Sequence, residues 1–338
     1  MDKLTTALGY TPQRIALFRA IKLGNLLCVT PVLRALRRAY PKAYIALISL
    51  PWAQEFVVAY PDELDEFIAF PGWPGLPEQP LDPARTVAFL QQMQARQWDV
   101  VLQLQGNGTL VNAGLSLFGA KALAGYYLPD VPSERWAGEA GLFMPYPQQR
   151  HEVHRHLGLL RFLGIDVPGD NLFFPVSAAH QTEAEALLRA TGTAAGYVLI
   201  HAGGISGRRW PAEHFAAVAD ALAEKGFAVL LTGTVAEQPI IDKVRARMRR
   251  PSTSVAGKTS LGALAALLRG AALLVSNDTG VAHLAFACQV PSVTVYTSAD
   301  PAGWGPLDTQ RHRVVREADG VARVLVEAVA VLASAHSV

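Results

Sequence analysis

The sequence predicts an α/β protein with two doubly wound domains, each built on a parallel sheet covered by helices. Its 338 residues exceed what one core of ordinary size organises, so two domains of about 150 residues each are expected. Short apolar runs alternate with longer amphipathic stretches, which is the rhythm of βαβ units in a parallel sheet. Several of these runs end in turns rich in glycine and polar residues, where such sheets bind ligands.

Each half of the chain contains four short apolar runs that we interpret as buried strands, because helical periodicity follows them. In the first half they span residues 15–18, 44–48, 67–70 and 100–104. In the second half they span residues 197–200, 227–231, 272–275 and 292–296, separated by helices near 212–225, 236–250, 260–270 and 280–289. The strands of each half are therefore expected to form one parallel sheet.

The boundary between the two domains is placed at residues 165–177, which break both periodicities and carry turn residues such as Pro168 and Gly169. This predicts a first domain over residues 1–170 and a second over residues 171–338. The C-terminal helix is a candidate to pack back on the first domain.

The composition argues against nucleic acid as a partner. Lys and Arg number 30 and Asp and Glu 28, so a formal charge of +2 creates no strong field. No signal pattern opens the chain and no run approaches about 18 apolar residues. Cys28 and Cys288 lie in apolar helical patterns without metal-ligand spacing and are expected to be reduced. These observations predict a cytoplasmic protein.

The first long helix carries a basic face formed by Arg34, Arg37 and Arg38. Two interpretations stay open for it. The arginines either form an ordinary solvated face or meet an anionic acceptor or the inner face of a membrane, as a peripheral contact.

The segment Asp278-Thr279-Gly280 joins an apolar strand to a helix and is the strongest candidate for an anion site. Free N–H groups and the helix dipole favour negative charge at such a junction, so a phosphate or diphosphate fits there. The alternative is a plain helix start in which Asp278 is the N-cap and His283 packs on the helix flank.

Two further loops of the second half end strands in the same way. Gly203 and Gly204 allow close approach of the backbone, and Arg208 and Arg209 add fixed charge, so this loop binds a diphosphate or is a flexible loop with solvated arginines. Glu237 follows the next strand; it either accepts hydrogen bonds from ribose hydroxyls or favours the helix N-terminus.

In the first half, Lys22, Gly24 and Asn25 follow the first strand, at the sheet edge where ligands bind. The proline- and glycine-rich stretch 70–77 must be a loop. Its Trp73 either contacts an acceptor or packs as part of a loop covering the domain.

Several other enzyme classes are disfavoured. Gly257-Lys258-Thr259 resembles the end of a P-loop, but Ser252 stands where the first glycine is required. Gly106-Asn107-Gly108 resembles a dinucleotide fingerprint, but Val111 occupies the position of its last small residue. An ATPase or an NAD enzyme is therefore not expected.

The sequence also predicts a site without metal or other cofactor. His151, His154 and His156 fall on one predicted helix without a suitable third ligand, so a solvated helix surface is expected there. Aspartates spaced as Asp-x-Asp, a usual metal–diphosphate clamp, do not occur in the chain.

The order and spacing of these motifs resemble glycosyltransferase family 9, whose best-known members are ADP-heptose:lipopolysaccharide heptosyltransferases. The resemblance spans nearly the whole chain and is carried by residues 23–27, 30–36, 208–211 and 278–280 with His283. It implies a GT-B fold, with two Rossmann-like domains facing across a cleft, the first binding the acceptor and the second the sugar nucleotide. It also implies an inverting, metal-independent transfer.

The resemblance assigns roles to single residues. Arg208 falls where the family has a lysine that contacts the donor phosphates, and Glu237 is at the position of a nucleoside contact. The pyrophosphate site is matched directly by Asp278, Thr279, Gly280 and His283. Gly203, Gly204 and Arg209 complete the expected donor side, and Lys22, Gly24 and Trp73 the acceptor side.

One departure concerns the general base, because Asn25 stands where the family has an aspartate. A carboxamide cannot accept a proton near neutral pH, and general-base catalysis contributes about 10²- to 10⁴-fold. The leading hypothesis is a glycosyltransferase that moves a sugar, plausibly a heptose from ADP-heptose, to a hydroxyl of a saccharide or lipid-linked saccharide. The alternatives are a nucleotide-sugar-binding protein with little or no turnover, or a GT-B sugar-nucleotide epimerase or hydrolase.

Overall fold

The computed structural model describes residues 1–193 and 196–335. Contacts divide the chain into two units, Met1–Asp170 and Asn171–Val338. The connection at residues 165–177 contains neither helix nor strand. Ile165 and Phe174 of this segment are buried, so it is anchored by apolar packing although it lacks regular structure.

The first unit contains a six-stranded sheet in which every strand is parallel to its neighbours, in the order β3-β2-β1-β4-β5-β6. Its strands are β1 (Arg14–Phe18), β2 (Tyr44–Ser49), β3 (Glu66–Ala69), β4 (Val100–Gln103), β5 (Ala122–Tyr127) and β6 (Phe143–Pro145). Its helices are α1 (Lys3–Leu8), α2 (Leu23–Leu27), α3 (Thr30–Ala39), α4 (Gln54–Ala59), α5 (Pro83–Ala95), α6 (Asn112–Ser116), α7 (Arg135–Glu139) and α8 (Glu152–Phe162).

The second unit repeats this plan, and its described residues form a parallel sheet in the order β12-β11-β10-β7-β8-β9. Its strands are β7 (Tyr197–His201), β8 (Ala228–Leu231), β9 (Thr253–Ser254), β10 (Leu273–Asn277), β11 (Ser292–Tyr296) and β12 (His312–Arg316). Its helices are α9 (Ala178–Ala190), α10 (Ala212–Glu224), α11 (Gln238–Arg245), α12 (Leu261–Gly270), α13 (Gly280–Ala287), α14 (Pro301–Trp304) and α15 (Gly320–Ala335).

The central strands are mainly apolar because helices cover both faces of each sheet. All residues of β7, β10 and β11 are buried. In each unit the strand order reverses once, between β1 and β4 and between β7 and β10. Ligands of doubly wound sheets bind at the carboxyl ends of the strands flanking such a reversal.

The predicted fold class, α/β with two parallel-sheet domains, is confirmed, and all eight predicted strands are present within one or two residues of their predicted ends. The prediction missed β5, β6, β9 and β12. β9 has two residues and β6 has three, which is too short for a periodic pattern. β12 contains two arginines, and only His312 and Val315 are buried in it.

The C-terminal helix packs on the sheet of its own unit, against β11, β12 and α10. Its apolar face, including Val324, Ala328 and Val331, belongs to the core of the second unit. Cys28 and Cys288 are buried and do not form a disulfide. Within residues 1–193 and 196–335, no helix combines the length and apolar character needed to cross a membrane.

His312 makes the stability of the second unit sensitive to acid. Its imidazole is buried, and Nδ1 lies 2.9 Å from the Ser292 hydroxyl. Burial is the main cause that lowers the pKa of His312 to about 4, helped by Arg311 and opposed by Asp308. A histidine with a depressed pKa contributes stability above its unfolded pKa of 6.5 that is lost as pH falls towards 4.

Between pH 7 and pH 4, we therefore expect the free energy of unfolding to fall by about 3 kcal/mol less in His312→Gln than in the parent. Urea unfolding of parent and variant from pH 7 to pH 4 measures this difference. Substitution of His154, whose side chain is 40% exposed, controls for loss of one solvated imidazole. Parallel stability curves for parent and His312→Gln would contradict the assignment.

Candidate functional site

Three loops of the second unit meet at the carboxyl edge of its sheet, beside the reversal in strand order. They follow β7, β8 and β10, and they comprise residues 202–211, 232–237 and 278–280. All three loops contain residues that the sequence predicts to lie on the donor side. The structure brings these three segments into contact.

Two glycines allow this contact because neither carries a Cβ. A Cβ on Gly203 would lie 2.1 Å from Oε1 of Glu237, and one on Gly204 would lie 2.8 Å from Cγ2 of Thr279. Gly204 also adopts a φ of +121°, which L side chains rarely reach. The loop after β7 therefore requires glycine at both positions.

Asn277, the last residue of β10, holds the loop after β7 in place through three hydrogen bonds. Its Nδ2 donates to the carbonyl oxygens of Ala202 at 3.1 Å and Gly203 at 2.9 Å. Its Oδ1 accepts from the N–H of Trp210 at 2.9 Å. Asn277 was not among the predicted site residues. Its place directly before Asp278 at a strand end could have indicated that it holds the neighbouring loop.

Glu237 also binds the backbone of the loop after β7. Its Oε1 accepts from the Gly204 N–H at 2.6 Å, and its Oε2 accepts from the N–H and hydroxyl of Thr234 at 2.8 and 3.0 Å. Burial acts to raise the pKa of Glu237, but nearby His201 and these donors outweigh it and lower that pKa. Glu237 is thus a capping and bracing carboxylate, and a ribose contact stays a prediction.

Thr279 is the residue of this site most clearly suited to an anion. It is the N-cap of α13, its side chain makes no capping bond, and its buried Oγ1 has no hydrogen-bond partner among the described residues. The first N–H groups of a helix also lack intrahelical acceptors. A hydroxyl and backbone donors therefore lie together at the positive end of a buried helix.

The alternative interpretation of this segment was a plain helix start, with Asp278 as the N-cap and His283 packed on the helix flank. The N-cap is Thr279 rather than Asp278, so that part of the alternative was wrong. Asp278 is half-buried, and burial raises the pKa of its carboxyl. His283 is buried and lies edge-on to Phe286, with ring centroids 5.4 Å apart, which agrees with packing on the helix flank.

The two arginines of the loop have different surroundings. Arg209 donates from Nε to the Gly204 carbonyl at 2.7 Å, so it braces the glycine turn. Arg208 is exposed, and its carbonyl accepts from the Thr297 hydroxyl at 3.0 Å. Of the two arginines, Arg208 therefore has the side chain that is more accessible to a ligand.

In the first unit, side chains fill the corresponding reversal between β1 and β4. Gln105 pairs with both backbone groups of Ala20, accepting from its N–H at 3.0 Å and donating to its carbonyl at 3.4 Å. Arg19 is fully buried and donates to the Leu104 carbonyl after β4. In the first unit, buried polar side chains therefore occupy this part of the sheet edge.

The acceptor-side candidates lie on different elements. Lys22 is the exposed N-cap of α2, Gly24 is buried, and Asn25 is half-buried one residue later. Trp73 lies in the irregular segment after β3, is half-buried and packs against Gly114 of α6. The packing interpretation of Trp73 is therefore supported, and its contact with an acceptor stays a prediction.

The expectation of a solvated histidine surface was wrong for one residue. His156 is buried, with Nδ1 3.0 Å from the Tyr126 hydroxyl and Nε2 3.2 Å from Oε1 of Glu152. His151 caps the N-terminus of α8, and His154 pairs with Asp170 at 3.0 Å. The described parts of the chain contain no group of three or more His, Cys, Asp or Glu that could hold a metal.

Two successive doubly wound parallel sheets, one in each half of the chain, are the architecture of the GT-B fold. The model of glycosyltransferase family 9 (heptosyltransferase) matches residues 86–323 of this chain. The chain belongs to this family of glycosyltransferases. The matched range includes the donor-side loops and excludes Asn25.

Relatives and solved structures agree with this assignment. Lipooligosaccharide heptosyltransferase 2 of Haemophilus ducreyi is 34% identical over 119 residues, about a third of each protein (33% and 34%). Lipopolysaccharide heptosyltransferase 3 of Escherichia coli K12 is 24% identical over 298 residues, covering 84% of this chain and 82% of that protein. The structure of E. coli ADP-heptose lipopolysaccharide heptosyltransferase II has the same fold, with a TM-score of 0.75, 20% identity and coverage of 96% and 99%.

The close fit around Gly203 gives a stability prediction. We expect Gly203→Ala to displace the Glu237 carboxylate and to lower the free energy of unfolding by about 1–3 kcal/mol, as overpacking does. Gly303→Ala is the matched control because a Cβ there meets open space. Urea unfolding of both variants measures the difference, and equal stabilities would contradict the packing described.

Proposed function

We propose that this protein is an inverting, metal-independent heptosyltransferase that moves a heptose from ADP-heptose to a hydroxyl of a saccharide acceptor. Family membership supports sugar transfer, and the names of its relatives support a lipopolysaccharide-type acceptor and an ADP-heptose donor. The observation that carries the proposal is Thr279: a buried hydroxyl with no hydrogen-bond partner among the described residues, at the start of α13, on a side chain whose Cγ2 packs against Gly204 of the neighbouring loop.

In this proposal the second unit binds and stabilises the diphosphate of the donor. Thr279 Oγ1 and the first N–H groups of α13 donate to phosphate oxygens, while Gly203 and Gly204 keep the backbone close. Arg208 supplies positive charge to the departing diphosphate in place of the family's lysine. Arginine keeps the charge of a lysine but presents a planar fork rather than a point charge.

Leaving-group stabilisation acts on the bond that breaks in the transition state, so these donors accelerate transfer as well as binding the donor. The anomeric carbon is attacked by the acceptor oxygen from the face opposite the leaving diphosphate, which inverts its configuration. The acceptor proton passes to solvent or to a group other than residue 25, because an amide cannot take it.

The donor assignment predicts a role for Arg208 that a nearby surface arginine does not share. We expect Arg208→Ala to weaken binding of ADP about tenfold or more, because it removes charge from the diphosphate, and to leave binding of adenosine nearly unchanged. Titration calorimetry with both ligands measures this. Arg189→Ala, which changes an arginine 68% exposed on α9, should bind ADP like the parent.

Equal ADP affinities for Arg208→Ala and Arg189→Ala would remove Arg208 from the donor site. Thermal-shift screening of ADP, UDP, GDP and their sugar derivatives provides the independent test of donor identity. A ligand that binds only the folded state raises stability by RT ln(1 + [L]/Kd). A stabilisation by uridine or guanosine donors exceeding that by adenosine donors would overturn the ADP-heptose proposal.

The proposed transfer is tested with ADP-heptose, a heptose-accepting lipopolysaccharide core and a chelator. We expect product with an inverted anomeric centre, and Asn25→Asp should be faster than the parent by about 10²- to 10⁴-fold because it restores a base. Lys42→Ala, on the exposed turn before β2, is the control variant. A variant Asn25→Asp no faster than the parent would remove position 25 from the proton-transfer path.

The same assay separates the alternatives. ADP-heptose that binds tightly while neither parent nor Asn25→Asp yields product would identify a binding protein. Free heptose or an isomerised donor formed without acceptor would identify a hydrolase or an epimerase.

A further inference from the structure

A buried arginine lies directly behind Asn25. Arg19 follows β1, and its side chain is 1% exposed. Its Nε donates to the backbone carbonyl of Asn25 at 2.9 Å, and Nη2 lies 3.4 Å from Oδ1 of the same residue. The guanidinium thus contacts both the main chain and the side chain at the position where the family has its base.

The position of Arg19 is fixed by its own backbone. Its N–H donates to the Ile48 carbonyl at 3.1 Å, and its carbonyl accepts from the buried Ser49 hydroxyl at 2.7 Å. Both partners lie at the end of β2. The guanidinium therefore projects from a backbone held at the neighbouring strand.

The guanidinium is held in turn by a buried carboxylate on α8. Nη2 of Arg19 donates to Oε1 of Glu152 at 2.6 Å, and Oε2 of Glu152 accepts from Arg155. His156 lies 3.2 Å from Oε1 of Glu152, and burial, with the two arginines, lowers its pKa well below the usual value. The cluster therefore carries two arginine charges against one carboxylate.

These contacts decide which end of the Asn25 side chain faces inward. A guanidinium has only N–H donors, so the atom that faces Arg19 must be the amide oxygen. The Nδ2 group then points away from Arg19. Burial lowers the pKa of Arg19 only to about 10, so it stays charged at neutral pH.

We propose that Arg19 is a positioning residue: braced by Glu152, it fixes the Asn25 carboxamide so that only N–H donors are offered to the acceptor. Residue 25 then binds a lone pair of an acceptor oxygen and leaves its proton untouched. This inference rests on the proposed function for the identity of the acceptor. The orientation of residue 25 rests on the contacts of Arg19 alone.

The kinetic test changes Arg19 to Gln, which removes the charge and the fork. The Asn25 carboxamide is then free to flip, so that its oxygen can replace its N–H group at the acceptor. We therefore expect the KM for the acceptor to rise about tenfold, which is the size of effect caused by losing one hydrogen bond with a charged partner. The KM for the donor should change by less than about twofold, because the donor-side loops belong to the second unit.

Arg96→Gln is the matched control in the same unit. Both terminal nitrogens of the Arg96 guanidinium donate to the Glu66 carboxylate, and the two side chains are partly buried. Glu66 begins β3 and Arg96 precedes β4, so this pair lies at the amino end of the sheet and outside α2. Equal rises of the acceptor KM in both variants would reduce Arg19 to a structural residue and overturn the proposal.

A second readout requires no turnover. In Asn25→Asp with ¹³C-labelled aspartate, the introduced carboxyl faces Arg19, with Glu152, Arg155 and neutral His156 behind it and Lys22 on its own element. An adjacent cation lowers a carboxyl pKa by about 1–3 units. Adding Arg19→Gln should therefore raise the titration midpoint of that carboxyl by about 1–3 pH units, while adding Arg96→Gln should leave it unchanged.

An unchanged midpoint in the double variant would overturn the positioning role whether or not the protein transfers sugar. Absence of transfer by the parent and by Asn25→Asp would instead refute the proposed function and leave the titration as the test of Arg19. If Arg19→Gln does not fold, Arg19→Lys keeps the charge and loses the fork. It should keep the low midpoint and still raise the acceptor KM, and a parent-like KM would overturn the proposal.

Discussion

The candidate donor site depends on the placement of β10 beside β7 in the second sheet. Parallel pairing of these strands brings two segments separated by about 75 residues to one edge, and Asn277 then joins them with three hydrogen bonds. Because its amide has both donors and an acceptor, one side chain holds the loop on two sides. The glycines, Glu237 and Thr279 are each positioned relative to that joined edge.

The two units show how one topology serves two purposes. Both sheets reverse their strand order at the same place, which is where doubly wound folds bind ligands. In the second unit the edge is lined by Gly203, Gly204 and a helix N-terminus. In the first unit Arg19 and Gln105 occupy it and hydrogen-bond the backbone on both sides. Buried side chains, rather than strand order, thus distinguish the glycine-lined edge of the second unit from the hydrogen-bonded edge of the first.

Much of the fold could be predicted because parallel strands covered on both faces must be apolar throughout. Central strands such as β7 and β10 therefore appear as uninterrupted apolar runs. The edge strands β9 and β12 were not predicted, because β9 is only two residues long and β12 contains arginines. For the site, Thr279 and Gly204 could be found because a glycine or polar residue at a strand end is locally unusual.

By itself, the sequence determined the fold class and the presence of an amide at position 25, and it predicted which loops form the candidate donor site. Only the tertiary structure decided how those groups are used. Glu237 braces Gly204, and Arg19 turns the amide of Asn25 outward, through contacts between residues distant in the chain or on separate elements. Such contacts leave no periodic trace in a sequence, because they depend on where packed strands and helices place the ends of a few side chains.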